Sequence, residues 1–275
     1  MGLRINTNVA SLSAQRNLHK ASARLAKSFG RLSSGLRISR ASDDAAGLAI
    51  SERMRAQVRS LQQAQRNAND GISLVQTAEG ALEEINGILV RLRELAVESA
   101  TGTMSGTDRT TMDSEFQDLI NEIDRISTNS KFNGRALLTG STSIAIRVGS
   151  GTNSTVDSIS VSTATVLASA LTLDSANIST TGGADSAITN IDAAINQVSS
   201  VRGTFGAASN RLEASIRDLG ASVENLAAAE SRIRDVDVAA ETANLTKTSI
   251  MQQAAISVLA QANVQPQSAL ALLQG

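Results

Sequence analysis

The feature that most constrains this chain is its last 28 residues, 248–275, which carry no charged side chain. Apolar residues recur there at the three-and-four spacing of a helix seam. A surface helix normally shows Lys and Glu on its polar side, so uncharged polar residues on that side indicate a helix enclosed by other helices. The predicted seam is Met251, Ala255, Val258 and Ala262, with Leu245, Ile250 and Leu259 beside it and Gln252, Gln253, Ser257, Gln261 and Asn263 opposite.

A membrane span is the alternative for this charge-free tail. Gln, Asn and Ser interrupt the segment too often for the roughly 18 to 20 predominantly apolar residues that a bilayer demands, so membrane insertion is not favoured. Packing against one neighbour would bury too few side chains to offset the entropy of fixing the backbone, about 1 to 2 kcal/mol per residue. We therefore expect the tail to become ordered when partner subunits surround it, which indicates a function in assembly.

The composition favours long helices and excludes several function classes. One Pro and four Phe, with no Trp, Tyr or Cys, suit narrow bundles of uninterrupted helices. A net charge of -1 argues against nucleic acid as a partner. Because there is no Cys, one His and no recognisable catalytic motif, we expect no cofactor, no metal and no enzymatic activity. No apolar stretch follows a basic N-terminus, so export, if it occurs, would use a route other than a Sec-type signal.

The N-terminal segment is basic and has a helix seam. Residues 1–42 hold eight Lys or Arg and no acid. A mitochondrial presequence and a helix that binds anionic membrane are alternatives for such a segment. Residues 213–241 hold seven acids against three Arg, so we favour antiparallel pairing of the two chain ends through opposite charge. The predicted seam is Leu18, Ala21, Leu25, Ser28 and Leu32.

A break follows this first helix. Gly35 is expected to end it, and Ser42, Asp43 and Asp44 are expected to cap a second helix that begins near Ala45. Adjacent carboxylates can also form a catalytic or metal-binding pair. With no His or third acid nearby, capping is the favoured interpretation.

The strongest helix signal lies between residues 75 and 96, where apolar residues alternate strictly at four-three spacing. The pattern predicts a helix of roughly 25 residues after a pause at Asn69-Asp70-Gly71. A turn at 101–107 leads to a return helix with the same spacing. The two seams are Val75, Ala78, Leu82, Ile85, Leu89, Leu92 and Ala96, and then Met112, Phe116, Leu119, Ile123 and Ile126.

The periodicity changes at Phe132-Asn133-Gly134, where Asn-Gly predicts a tight turn. Residues 144–148 alternate as a strand should, and residues 156–161 do so more weakly. Between 139 and 187 the chain is rich in Ser, Thr, Gly and Ala, so we expect a small β-hairpin region and an exposed loop. Asn153-Ser154-Thr155 and Asn177-Ile178-Ser179 match the short N-glycosylation pattern. Helical spacing then resumes from Ile188 to Val198, and after Phe205 a second long seam runs from Leu212 to Ile233.

The predicted fold is mainly α: a long antiparallel helix bundle with coiled-coil helices from both chain ends and a small β-hairpin region at its tip. We expect three parts. Residues 1–44 are an assembly helix and linker, residues 45–240 are a helical core with the β-hairpin region and exposed loop at 132–187, and residues 241–275 are a second assembly helix.

Several long motifs resemble bacterial flagellin. They are Ile5-Asn6-Thr7-Asn8-Val9-Ala10-Ser11-Leu12, Arg31-Leu32-Ser33-Ser34-Gly35-Leu36-Arg37-Ile38, Ser42-Asp43-Asp44-Ala45-Ala46-Gly47-Leu48-Ala49-Ile50, Arg93-Glu94-Leu95-Ala96-Val97, Phe132-Asn133-Gly134 and Ser257-Val258-Leu259-Ala260-Gln261-Ala262-Asn263, followed by Pro266-Gln267 and residues 270–273. The resemblance covers residues 1–140 and 188–275. It implies a short, minimal flagellin, because only some fifty residues stand where large flagellins have outer domains.

The resemblance implies a secreted structural subunit that polymerises into the helical filament of the bacterial flagellum. It also implies export through the flagellar type III channel and four kinds of partner: other copies of the subunit, an export chaperone at the C-terminal segment, the filament cap protein and the hook-filament junction proteins. A hook-filament junction protein and an unrelated coiled-coil surface adhesin are the alternatives. The residues expected to assemble are Leu18, Leu25, Leu32, Met251, Val258, Leu259, Ala262, Leu270 and Leu273.

A further implication of the resemblance concerns host recognition. Flagellins of one large group are sensed by a Toll-like receptor through the long core helix, and the matching positions here are Arg91, Leu95 and, on the neighbouring helix, Glu115. The alternative for these residues is ordinary: Leu95 packs in the seam, and the two charges are solvated.

Overall fold

The computed structural model describes residues 7–140 and 142–273, and side chains up to Val264. The described chain is mainly helical with two small antiparallel sheets, which confirms the predicted fold class. Its residues form two compact units. We call residues 1–56 with 225–275 the terminal unit and residues 57–224 the central unit. The elements are α1 (Val9–Ser34), α2 (Ala45–Ala100), α3 (Gly106–Asn129), β1 (Lys131–Phe132), β2 (Arg135–Ala136), β3 (Ser143–Arg147), β4 (Ser158–Ser162), α4 (Thr181–Arg234) and α5 (Val238–Leu273).

Helix α2 begins where the sequence predicts. Gly35 ends α1 in the left-handed conformation with φ 72°, and Asp44 Oδ1 accepts a hydrogen bond from Gly47 N at 2.9 Å, which caps α2. A Cβ at Gly47 would collide with that carboxylate and with the buried Ile38 side chain. Capping is therefore the role of Asp44, whereas Asp43 points elsewhere and forms an ion pair.

The predicted pause at Asn69-Asp70-Gly71 is wrong, because α2 continues without a break for 56 residues. Gly71 is buried, and a Cβ there would meet Ile146 Cδ1 and, at 3.2 Å, Leu212 Cδ1. This glycine lets the β3 and α4 side chains approach the helix closely. A residue type that usually marks a chain break serves packing at this position.

The core of the central unit forms along the predicted seam. Every seam residue from Val75 to Ala96 is fully buried, together with Phe116 and Ile123 of α3. Contacts between the helices show their directions. On α3, Arg109 Nε donates to the Ser99 carbonyl and Glu115 binds Arg91. On α4, Asp192 binds Arg93 and Arg202 binds Glu79. As the residue number rises along α2, the residue number of the contacting residue falls along α3 and along α4. Both helices therefore run antiparallel to α2 within this unit.

Two hairpins interrupt the helices. Asn133 and Gly134 both have positive φ, at 49° and 77°, as a type I′ turn requires, and they join β1 to β2. Strands β3 and β4 pair antiparallel with Ile146 opposite Ile159. Val156, which the sequence places in a strand, lies in the connecting loop and is 75% exposed.

The exposed loop predicted within 132–187 is wrong for residues 166–178, because this irregular segment belongs to the core. Its backbone is held by polar side chains on one side of α3. Asp124 Oδ1 accepts from Ala168 N at 2.7 Å, and Asp113 Oδ1 accepts from Ile178 N at 2.8 Å. Gln117 and Ser127 donate to further carbonyl groups of the segment. The buried side chains are Val166, Ala168, Leu171, Leu173, Ala176 and Ile178.

Candidate functional site: the surface of the terminal helices

Helices α1 and α5 pair in an antiparallel coiled coil. Asn8 Nδ2 donates to the carbonyl oxygen of Ala262 at 2.7 Å, and Gln252 Nε2 donates to Ser22 Oγ at 3.2 Å. Near the other end, Arg31 forms an ion pair with Glu241 at 3.6 Å. The two residue numbers in each contact add up to nearly the same value, so the register is held over the whole pairing.

The α1 side of this seam agrees with the prediction. Positions 14, 18, 21, 25, 28 and 32 alternate at four-three spacing. Ala14, Ala21 and Ser28 are buried, and Leu18, Leu25 and Leu32 are half-buried. The residues at the centre of the seam are small, so the two helices approach closely while burying little apolar area per residue.

The α5 side agrees with the predicted seam at Ala255 and Ala262 and differs at two positions, where Gln252 and Leu259 take the places predicted for Met251 and Val258. The side of α5 that contacts α1 carries Glu241, Gln252 and Ala262, and the same spacing includes Leu245, Thr248, Ala255 and Leu259. Met251 is half-buried, and Val258 is 58% exposed and lies outside the seam. The prediction for Val258 is wrong because it places the polar Gln252 on the side of α5 that faces away from α1. Gln252 contacts α1 instead, so Val258 lies outside the seam. Leu270 lies outside the described side chains, as does Leu273.

The terminal unit leaves aliphatic surface uncovered. Of the twelve large hydrophobic side chains that are exposed in the described chain, nine lie in this unit. An open groove of about 490 Å³ runs between α1 and α5, floored by alanines and edged by Lys20 and Arg24. The nine side chains are Val9, Leu12, Phe29, Ile50, Val238, Ile250, Ile256, Val258 and Val264.

The predicted charge pairing between the chain ends is wrong except at one contact. In the described chain, Glu241 is the only acid of residues 213–241 that forms an ion pair with α1. Lys27 instead binds Asp43 at 2.7 Å, and this hydrogen-bonded ammonium lowers the pKa of Asp43 to about 2. The other charges of α1 face solvent, because exposed charges gain little from pairing and apolar burial selects the partner helix.

Two extended segments join the ends of the helices. Arg37 N donates to the Arg234 carbonyl at 2.7 Å, and Val236 N donates to the Gly35 carbonyl at 3.0 Å. Leu36 and Asp235 form an antiparallel bridge between these hydrogen bonds. Arg234 also binds Glu52 at 2.7 Å. We call these contacts the strap. Sequence patterns did not reveal it, because its hydrogen bonds come from the backbone.

The receptor positions are brought together on α2 and α3. Arg91 Nη2 lies 2.9 Å from Glu115 Oε1, and both side chains are half-exposed. Hydrogen bonds to Glu115 and Glu94 raise the pKa of Arg91 above its ordinary value. Leu95 is only 2% exposed. It lies in the core, so its expected direct contact with a receptor does not fit this geometry.

The fold and the hydrophobic side chains exposed on the terminal helices are typical of one class, the helical structural proteins. None of the described helices is long and apolar enough to cross a membrane. Comparison with known proteins gives the family. The bacterial flagellin N-terminal helical region matches residues 5–143, and the flagellin C-terminal helical region matches residues 188–273.

Individual relatives agree. The flagellin of Halalkalibacterium halodurans is 46% identical over 98% of this chain and 99% of its own length. That of Bacillus subtilis is 44% identical over 99% of this chain and 100% of its own length. The crystal structure of Bacillus cereus flagellin shares 33% identity and a TM-score of 0.51, over 60% of this chain and 94% of that one.

This chain therefore belongs to the bacterial flagellin family, a family of structural proteins, and functions as a subunit of the flagellar filament. The names of these relatives do not support the junction-protein or adhesin alternatives.

Proposed function

We propose that the uncovered sides of α1 and α5 are the surfaces through which neighbouring subunits enclose one another in the filament, and that residues 1–44 and 241–275 are the assembly segments. The observation that carries this proposal is the row of exposed aliphatic side chains on a helix without charge beyond Lys247. In water such a surface is unfavourable, and its burial between copies would remove that cost.

A matched pair of valine substitutions tests this proposal. Val258→Asp places a carboxylate on the exposed side of α5, where enclosure would leave it unpaired, so filament growth from seeds should stop. Val156→Asp makes the same change at a valine of the central unit that is 75% exposed, and growth should continue. Sedimentation of polymer measures both. Normal filaments from Val258→Asp would show that this side of α5 is not enclosed.

Family membership supports the remaining roles, which we also propose. The subunit is secreted through the flagellar type III channel, is held by an export chaperone at residues 241–275, and meets the cap and hook-filament junction proteins. It has no enzymatic function. Removal of residues 241–275 should abolish co-purification with the chaperone from cells. A truncated chain that still binds the chaperone would place the binding site elsewhere.

Recognition by the Toll-like receptor is proposed for the Arg91–Glu115 pair, with Leu95 supporting α2 from beneath rather than touching the receptor. The half-exposed ion pair favours this role. Signalling by purified monomer should fall after combined Arg91→Ala and Glu115→Ala substitution. Unchanged signalling would reject the assignment.

Modification with O-linked sugar is proposed for the loop between β3 and β4. Ser154 and Thr155 are exposed there, whereas Thr163 is buried. The intact mass of subunits from native filaments should exceed the sequence mass, and the excess should map to this loop. A mass equal to that of the sequence would exclude modification.

A further inference from the structure

Between residues 57 and 90, the charges of α2 are separated by sign along the helix, whereas the charges before and after this stretch are mixed. In the central unit, residues 57–66 carry only basic charges, Arg59 and Arg66. Residues 67–90 carry only acidic charges, which are Asp70, Glu79, Glu83 and Glu84. We call Arg59 with Arg66 the basic block and Glu83 with Glu84 the acidic block.

Both blocks lie on the exposed side of the helix. All four side chains are exposed, whereas the seam from Leu61 through Val75 to Leu89 is buried against the rest of the unit. Arg59 and Glu83 are 24 residues apart, which is about 36 Å along an α-helix. The two blocks are therefore too far apart to neutralise each other within one chain.

The side chains of the two blocks also form no ion pair within the described chain. Among the described residues, no ion pair forms at Arg59, Glu83 or Glu84, although other charges of the same helix are paired across to α3 and α4. Arg66 donates to Gln63 Oε1 at 2.6 Å and does not pair with Asp70, one turn away. Glu79 and Glu83 are like charges at i,i+4, an arrangement that disfavours the helix. Separation of charge by sign thus gives no stability to the isolated chain.

We propose that the acidic block of one subunit lies against the basic block of the next, so that α2 helices of successive copies associate head to tail. A second copy is the partner because one chain carries both blocks. When a copy is shifted along the helix direction, its basic block can lie against the acidic block of the first. A contact between two different surfaces of identical chains generates an open polymer. The inference rests on filament assembly, and it assigns a contact in the central unit that the terminal helices do not provide.

Charge exchange between two variants tests this contact. Glu83→Lys with Glu84→Lys makes both blocks basic, and Arg59→Glu with Arg66→Glu makes both acidic. Each variant alone should meet only like charge, so its critical concentration for seeded growth should rise at least tenfold. An equimolar mixture should alternate the two variants and form filaments at a concentration where neither grows alone.

Two controls show whether an effect comes from the position of the reversed charges rather than from a change in net charge or a loss of folding. Asp118→Lys with Glu213→Lys reverses two exposed, unpaired acids elsewhere in the central unit and should grow like the parent protein. Thermal melting by circular dichroism should show that every variant folds. If the Lys variant does not fold, Glu83→Gln with Glu84→Gln should raise the critical concentration about threefold at low salt and reduce its dependence on ionic strength.

Parent-like growth of either reversed variant alone, or of the Gln variant with unchanged salt dependence, would overturn the contact. Failure of a mixture of folded variants to polymerise would also overturn it. Soluble paired dimers in that mixture, instead of filaments, would contradict the head-to-tail direction. The Val258→Asp test is independent of these results, so loss of this contact and loss of the terminal assembly surface can be told apart.

Discussion

The central unit and the α1–α5 pair use the same heptad spacing but reach different degrees of burial. In the central unit the seam positions hold Leu82, Ile85 and Leu89, all completely buried. In α1 the most buried positions hold Ala14, Ala21 and Ser28, and the leucines between them stay half-covered. The number of elements packed on the seam therefore decides its burial. The α2 seam shares one core with α3, α4 and residues 166–178, whereas the α1 seam packs against α5 and leaves area for neighbours.

The comparison predicts how each region responds to damage. A fault in the central unit should change the stability of the monomer, because its core is closed. A substitution in α1 or α5 should change the polymer, because we propose that neighbouring subunits cover the exposed surface of these helices. Four experiments separate the two regions, beginning with the largest effect.

Leu259→Asp should abolish filament formation. Leu259 is half-buried on the side of α5 that contacts α1, so the carboxylate would oppose both helix pairing and enclosure by neighbours, at a cost of several kcal/mol in every subunit. The central unit should melt as in the parent protein. Sedimentation and thermal melting measure the two effects, with Leu259→Met as a control that keeps the volume. A lower melting temperature of the central unit would erase the distinction between the regions.

Leu89→Ala should lower the free energy of unfolding of the monomer by about 2 to 5 kcal/mol, because it opens a cavity in a closed core. Leu25→Ala removes the same atoms from the half-buried α1 seam and should change the melting of the central unit by less than about 0.5 kcal/mol. Chemical denaturation of monomer checks both values. Equal losses from the two substitutions would mean that both regions unfold together.

Hydrogen exchange should distinguish the regions without any substitution. In monomer, amides up to about residue 35 and beyond about residue 240 should exchange quickly, while those of residues 75–96 stay protected. Assembly into filaments should slow exchange in both terminal segments. Equal protection of α1 and the α2 seam in monomer would show that the terminal pair is stable alone.

The smallest effect concerns acid. Since the pKa of Asp43 is lowered, its pair with Lys27 stabilises the fold fully above the ordinary value of 3.8, and this contribution is lost as the pH falls through about 2. In Lys27→Met, the pKa of the Asp43 carboxyl should rise toward its ordinary value, while the backbone hydrogen bonds of Ser39 and Arg40 still lower it. Carbon NMR of that carboxyl measures the midpoint, and an unchanged midpoint would assign the shift to another cause.

Sequence patterns predicted the regular elements where local signals are strong. The seam from Val75 to Ala96 was correct because large apolar residues keep one period over three heptads. The Asn133-Gly134 turn was correct because positive φ at two adjacent positions restricts the residue types. The cap at Asp44 was correct for a similar local reason.

The failures came from long-range packing. Gly71 looked like a break because its partner, Ile146, is 75 residues away in the sequence. Residues 166–178 looked exposed because a buried irregular segment has no period. One signal was available: Asp113, Gln117, Asp124 and Ser127 recur on one side of α3, and all of them bind the backbone of that segment. The sequence predicts residues 213–241 as the partner of α1 because their acids complement its basic residues. The observed partner is α5, which is selected by apolar burial.

The strap has a mechanical consequence. The bridge between Leu36 and Asp235 lies just after the end of α1 and just before the start of α5. It therefore fixes the register of every contact between the two helices. One residue inserted in the first turn of α5 would turn the rest of that helix by about 100° relative to the strap and present a new stripe of side chains to α1 and to solvent. If the exposed sides of these helices are the assembly surface that we propose, two short extended segments set the angle at which every subunit presents it, and an error of one residue would be repeated along the whole filament.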